Sequence, residues 1–327
     1  MPAYKAQFLR ETLKSIAAQT DRNFQLYVFD DAGPEAVGQI VHEFKDRLPL
    51  KYHRFRENLG GRSLVKHWER CLQLTDEPWI WIFSDDDLMD EGCVAAFHKE
   101  LDHTREGHDG YRFDTLLVSS AGARLKESPR HPDEESGSTF LLERWRETRD
   151  SFLQGLIFSR RAWKAGHGIP DFPLGWHSDD AFIAMLGLHR PLKSIPGPRV
   201  SWRASNINIS YNGSVKNVGE KIRASAQFIR WALDFFEDHA KAETAQAIEF
   251  SERWFFTYVS RFWCFMGLRT CREIEDLAFG VWGYPRGRGL LKGIKLNFNI
   301  GVEKIMRRAR RTPSHHAKNS LPDQPRS

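Results

Sequence analysis

A chain of 327 residues, 41% hydrophobic and 28% charged, has the composition of an ordinary globular protein and room for one large core or a core with a smaller partner. Its formal net charge of +5 is too small to mark a nucleic-acid binder, and no apolar run approaches the roughly twenty residues that span a bilayer. Four cysteines (Cys71, Cys93, Cys264 and Cys271) lie far apart without CxxC spacing, which points to free thiols in a reducing compartment and away from a disulfide framework.

The first half alternates helix and strand. Residues 6–19 have helical spacing, with Phe8, Leu9, Leu13 and Ile16 on one face. Residues 24–29 form a short apolar strand that ends at Asp30 and Asp31. A helix is predicted over 34–48, starting at Pro34, and a strand over 50–55. The glycine-rich turn at 58–62 leads into an amphipathic helix through Leu74. Next come a strand over 79–83, the acidic run Asp85, Asp86 and Asp87, a helix over 91–101 and a strand over 115–120. Residues 124–137 are polar, with Pro, Gly and Ser, and read as a loop; 152–158 reads as a strand. A turn at 174–178 precedes a helix over 179–188 that opens on Asp179 and Asp180. Residues 192–202 contain Pro196, Gly197 and Pro198 and read as an irregular edge strand, and helical patterns rich in Phe and Trp dominate 215–279.

Alternating β and α with continuous apolar strands predicts an α/β fold, a mainly parallel sheet covered by helices on both faces. Ligands bind such sheets at the carboxyl ends of the strands. Asp30–Asp31 and the acidic run both stand at such ends. Three adjacent carboxylates cannot be buried unpaired, and their mutual repulsion is relieved by a cation; an all-oxygen ligand set suits Mg²⁺ or Mn²⁺. The competing reading is an acidic helix N-terminus that only complements the helix dipole. For Asp30–Asp31 the competing reading is a plain turn. His67, His98 and His189 fall in helical patterns and read as surface residues.

The residues Met1-Pro-Ala-Tyr4, the run from Phe8 to Thr20 ending Ser-Ile-Ala-Ala-Gln-Thr, Phe24 through Asp31, Asn58-Leu-Gly60, and Phe83 through Asp87 resemble the family 2 glycosyltransferases of the GT-A fold. Order and spacing agree over roughly residues 1–100. Asp179–Asp180 resembles the family's later acidic pair. The chain departs from the pattern at three points. The family's first strand should precede Pro2, which suggests a truncated reading frame. Ser84 stands where the metal motif usually begins. Leu64-Val-Lys66 replaces the usual Ala-Arg-Asn.

The resemblance implies transfer of a sugar from a nucleotide-diphosphate donor, UDP-sugar favoured, to an acceptor hydroxyl with inversion. It assigns Asp86 and Asp87 to the divalent metal, Asp180 to the general base and Asp179 to its support. Pro2, Tyr4, Asp31 (on uracil N3–H), Arg62, Lys66 and Asp85 go to the donor, and Trp176 and His177 to the acceptor. Arg203 could reach the diphosphate, and Asn206, Asn208 and Ser210 are further nucleotide contacts. The expected organisation is a GT-A domain over 1–212, a helical region over 213–285 and a basic tail over 286–327. That tail could touch anionic lipid, which suits a carbohydrate or lipid-linked saccharide acceptor, surface polysaccharide or lipopolysaccharide synthesis, and a cytoplasmic protein peripheral to the membrane. No nucleic-acid partner is expected. Two other readings compete: a non-catalytic binding protein on the same fold and, with only Gly60-Gly61-Arg62 as its glycine-rich loop, a nucleotidyltransferase.

Overall fold

The computed structural model describes residues 1–205, 208, 215–262 and 266–293. Asn206, Ser210, Cys264, the proposed boundary at 212/213 and the tail beyond 293 lie outside the described residues.

The first layer follows the sequence pattern closely. Strands β1 (Pro2–Ala3), β2 (Leu26–Asp30) and β3 (Leu50–Arg54) form a parallel sheet in that order, with Pro2 opposite Phe29 and Leu26 opposite Leu50. Helix α1 (Leu9–Ala17) buries Leu9, Leu13 and Ile16, the apolar stripe read from its spacing. Helix α2 (Val37–His42) is shorter than expected, because residues 43–48 close as turns that still bury Phe44 and Leu48. Helix α3 (Leu64–Leu72) starts at Ser63, whose side chain accepts from the Lys66 N–H.

The second sheet is mixed rather than mainly parallel. Its path is β4 (Trp79–Trp81), β9 (Leu156–Ser159), β6 (Gly110–Ser119), β10 (Leu192–Ala204) and β5 (Leu88–Met89). Only the β6–β10 pair is parallel; β4–β9, β6–β9 and β5–β10 are antiparallel. The predicted edge strand over 192–202 is instead interior, between β6 and β5. Its Pro and Gly residues are accommodated by a register shift between Ile195 and Val200. The predicted loop over 124–137 contains β7 (Arg124–Glu127), hairpin-paired to β6, and β8 (Glu134–Glu135), paired to β10. Helix α4 (Cys93–His103) packs near β10, while α6 (Arg160–Ala165) follows β9.

Helices α5 (Gly137–Trp145) and α7 (Ser178–Leu186) pack on each other, α5 also against α9 (Thr244–Ser260) and α7 against α8 (Val215–His239), with α10 (Leu268–Trp282) against α8 and α9. One aromatic core joins them to the second sheet: Phe140, Phe158, Phe182, Phe228, Phe236, Phe255 and Phe256 are all essentially inaccessible to water. The C-terminal helices therefore share a core with the sheet. Burying aromatics of this size contributes about 1.5–3 kcal/mol each. Among the described residues no helix is long and apolar enough to cross a membrane.

Candidate active site

A cavity of about 720 Å³ opens where β1 and β2 end, and both acidic clusters line it. Asp85, Asp86 and Asp87 enter from one side, and Asp179 and Asp180, at the start of α7, from the other.

The three carboxylates do different work. Asp85 Oδ2 accepts the backbone N–H groups of Tyr4 (2.8 Å) and Lys5 (3.0 Å), which pins the end of β1 to the loop after β4. Asp87 is buried, and its Oδ1 accepts the Arg203 N–H at 2.8 Å. Asp87, expected on the metal, thus holds β10 through one oxygen while it lines the cavity. Asp86 is half-buried and faces the cavity. Burial, then the Asp85 charge, pushes its carboxyl up to about 6; burial and Asp86 raise Asp87 well above the usual range. Such shifts mark a site short of positive charge. Among the described residues no three His, Cys, Asp or Glu side chains form a metal cage. Mg²⁺ and Mn²⁺ need none in donor sites, because one or two carboxylates plus substrate phosphates and water complete their shell. Asp86 fits that arrangement.

Arg203 does not reach the cavity's ligand space. It is fully buried, pairs with Glu11 at 2.8 Å, donates to the Asp86 and Ser120 carbonyls, and lies over the Phe8 ring. Asp31, expected on the nucleobase, is likewise committed inward. Its oxygens accept the N–H groups of Leu59 (2.9 Å) and Gly60 (2.8 Å), and Arg70 pairs with it. A Cβ on Gly60 would stand 2.7 Å from Asp31 Oδ2, so the close approach requires glycine. Asp30 caps its turn, accepting Gly33 N–H at 2.9 Å. His67 is buried against Asp31 rather than exposed, and burial pushes its pKa down to about 4. Arg62 and Lys66 point to solvent outside the cavity, Arg62 paired with Glu57. Pro2, Tyr4, Asn58 and Asn208 do line it.

At the opposite wall, Asp180 is clamped. Arg144 Nε donates to its Oδ1 at 2.7 Å, and His177 Nδ1 lies 2.8 Å from its Oδ2. Although burial opposes ionisation, the Arg144 charge and the His177 contact hold Asp180 well below the usual carboxylate range. Asp179 has weaker partners: the Asp180 N–H at 3.0 Å and the Ser151 hydroxyl at 3.3 Å. Burial, then the Asp180 charge, raises it to about 7. A general base works best with a pKa near the operating pH. Of the two, Asp179 carries the raised carboxyl and Asp180 the ion-paired one.

His177 is no surface acceptor contact. It adopts a left-handed backbone (φ 67°), and its ring stacks on Phe228 at 4.8 Å with Nε2 3.0 Å from Ser225 Oγ. Burial lowers its pKa, with the Asp180 contact acting the other way. Strained backbone of this kind persists where surrounding contacts over-determine it. Trp176 does line the cavity, with the Lys221 ammonium 4.7 Å from its ring. Sequence reasoning missed Arg144, Ser151 and Lys5. Arg144 sits on a helix hidden in a weakly patterned segment, and nothing local marks it as the partner of Asp180.

Residues 1–161 match the family model described as Glycosyl transferase family 2. That stretch, just under half of the chain, is similar to family 2 glycosyltransferases, and the match supports a glycosyltransferase. No curated protein matches the chain. Among solved structures it is similar to S. aureus TarS residues 1–349 in complex with UDP-GlcNAc, with 14% identity and a TM-score of 0.53 over 94% of this chain and 90% of that one. It is also similar to a longer S. aureus TarS structure, with 15% identity and a TM-score of 0.60 over 90% of this chain and 53% of that one. At such identity the likeness carries the fold, which is GT-A.

Proposed function

We propose that the protein is an inverting glycosyltransferase that moves a sugar from a UDP-sugar to an acceptor hydroxyl with the help of Mg²⁺ or Mn²⁺. The observation that carries this reading is the shared cavity, with Asp86 on one wall and Asp179–Asp180 on the other. Two of the TarS structures of the same fold are complexes, one with UDP-GlcNAc and one with UDP, which supports a UDP-sugar donor.

The donor lies against Pro2, Tyr4 and the Asn58–Gly60 loop that Asp31 holds in place. Asp86 would hold the cation, which supplies positive charge to the diphosphate leaving group. Asp85 fixes the donor lip through Tyr4 and Lys5. Asp179 accepts the proton of the acceptor hydroxyl as that oxygen bonds to the anomeric carbon and the bond to diphosphate breaks on the opposite side. Arg144 and His177 keep Asp180 ionised, and its charge in turn keeps Asp179 basic. Trp176 offers its ring to the acceptor sugar. The working division is the domain over 1–212, the helices over 213–285 and the tail over 286–327. Binding of that tail to anionic lipid would place the enzyme at the cytoplasmic face of a membrane, on a lipid-linked saccharide in surface polysaccharide synthesis.

A panel of radiolabelled nucleotide sugars with Mn²⁺ tests the assignment. The expected result is metal-dependent hydrolysis or transfer from a UDP-sugar that Asp86→Ala abolishes, together with metal-dependent UDP binding. Full activity in Asp86→Ala would remove that carboxylate from the site, and UDP binding without turnover of any donor would leave a binding protein.

A further inference from the structure

Phe152 and Trp202 form an aromatic pair in the wall of the active-site cavity. Both are half-buried, with ring centroids 5.5 Å apart and planes inclined by 37°. Phe152 follows Ser151, whose hydroxyl donates to Asp179 Oδ2 at 3.3 Å. Trp202 precedes Arg203, whose N–H donates to Asp87 and whose Nε donates to the Asp86 carbonyl. One ring is thus tied to the Asp179 wall and the other to the Asp86 wall. Along β10, Arg203 turns toward α1, where it meets Glu11 and the Phe8 ring, so Trp202 stands on the opposite face of the strand.

The platform is held before any ligand arrives. Phe152 leads into a short 3-10 turn, Leu153–Gly155, and Trp81 Nε1 donates to the Gln154 carbonyl at 2.6 Å. The segment is therefore pinned from β4 as well as from Asp179, which lowers the ordering cost of binding. Gln154 also lines the cavity. It is 4% exposed, and its Nε2 has no hydrogen-bond partner among the described residues. A buried amide with an unused donor is destabilising until something accepts from it.

A pyranose ring has an apolar face of C–H groups and an edge of hydroxyls. The face matches the electron-rich face of an aromatic ring, and the edge needs donors and acceptors. Phe152 and Trp202 offer the first; Gln154 and Asp179 offer the second. Charge narrows the class further. Among the described residues that line the cavity, aspartates outnumber the cations Lys5 and Arg144, and Arg144 is paired with Asp180. Asp150 adds a carboxylate beside Ser151, so an anionic sugar here meets like charge. We infer that Phe152, Trp202 and Gln154 form the acceptor subsite and that it takes an uncharged pyranose, stacked on the aromatic pair with its attacking hydroxyl at Asp179. Trp176 has the Lys221 ammonium over its ring, which makes the uncharged pair the better stacking surface. This assignment rests on the transferase reading above.

The test uses the whole chain, Mn²⁺ and whichever of UDP-glucose, UDP-galactose and UDP-GlcNAc it turns over fastest. The acceptors are the p-nitrophenyl β-pyranosides of glucose, galactose and N-acetylglucosamine, with p-nitrophenyl β-glucuronide as the anionic counterpart. Transfer is expected to at least one neutral pyranoside, with kcat/KM about tenfold or more above that for the glucuronide. Trp202→Ala should raise the acceptor KM about tenfold or more, the loss of one stacked ring face, while kcat, donor KM and UDP Kd change less than about twofold. Trp202→Phe, which keeps a flat ring, should recover most of that loss, and Gln154→Leu should raise the acceptor KM about threefold or more. If Trp202→Ala fails to fold, Phe152→Ala carries the same expectation. An unchanged acceptor KM, or a donor KM that rises in its place, would overturn the subsite. Transfer to the glucuronide as fast as to any neutral sugar would overturn its charge selection. Donor hydrolysis without transfer to any neutral pyranoside would overturn the subsite and leave donor activation standing, whereas no turnover of any donor would remove the transferase reading and the subsite with it.

Discussion

The acidic pair at the start of α7 shows how neighbours divide two identical side chains into different chemistries. Asp180 has a guanidinium and an imidazole on its oxygens, whereas Asp179 has a hydroxyl and an amide N–H. Replacing Asp179 with Asn should leave donor binding nearly intact and cut transfer by about two to four orders of magnitude, the usual worth of acid–base help. Wild-type kcat should rise through an inflection near pH 7, from the raised Asp179 carboxyl, and Asp179→Asn should lose that inflection. If Asp180→Asn alone removed it, the base would be Asp180. Arg144→Ala removes the cation from a buried carboxylate and should destabilise the fold by about 3–5 kcal/mol in urea unfolding. It should also move the kcat inflection upward, since Arg144 lowers the Asp179 pKa.

At the scale of elements, the site depends on how closely α5 and α7 approach. A Cβ on Gly137, the first residue of α5, would stand 2.0 Å from the Ala184 carbonyl oxygen, and the Gly137 N–H donates to the Gly187 carbonyl at 2.9 Å. These contacts set the distance between the helix carrying Arg144 and the helix carrying Asp180. Gly137→Ala should therefore lower stability by at least about 1–3 kcal/mol, the range for overpacking, and weaken transfer more than UDP binding. Unchanged Tm in that variant would mean the helices can separate without loss. The strand β10 works the same way on the other wall: the Arg203 N–H and guanidinium bind Asp87 and the Asp86 carbonyl, so an interior strand orients the acidic loop.

For the molecule as a whole, the acidic cavity makes stability depend on pH in a direction that can be worked out. Asp86 and Asp179 are raised to about 6 and about 7, above an unfolded carboxylate, so the folded chain retains protons that the unfolded chain releases. Their contribution is complete below about pH 4 and is lost as pH rises toward 7. The lowered Asp180 acts oppositely: its contribution is present at neutral pH and lost as pH falls below the ordinary carboxylate range. The urea midpoint of Asp179→Asn should thus fall less between pH 4.5 and 7 than that of the wild type. A basic tail acting at anionic lipid would be seen as salt-sensitive vesicle binding that is lost when residues after Arg286 are deleted.

Much of this was already written in the chain. The apolar stripe of α1, the run into Asp30–Asp31, the glycine turn at 58–61 and the strand before Asp85 are local patterns, and local patterns follow from backbone periodicity and turn chemistry. They determined the fold class, the family and the two acidic clusters. Tertiary structure alone decided which of the cavity's carboxylates are committed to protein partners, because those partners are distant in sequence. Leu59 and Gly60 turn Asp31 inward, the Arg203 N–H fixes Asp87, and Arg144 takes Asp180 and leaves Asp179 to titrate. Sequence places a charge on the chain, but its solvation and its counter-charge, which set its chemistry, exist only once the chain has folded.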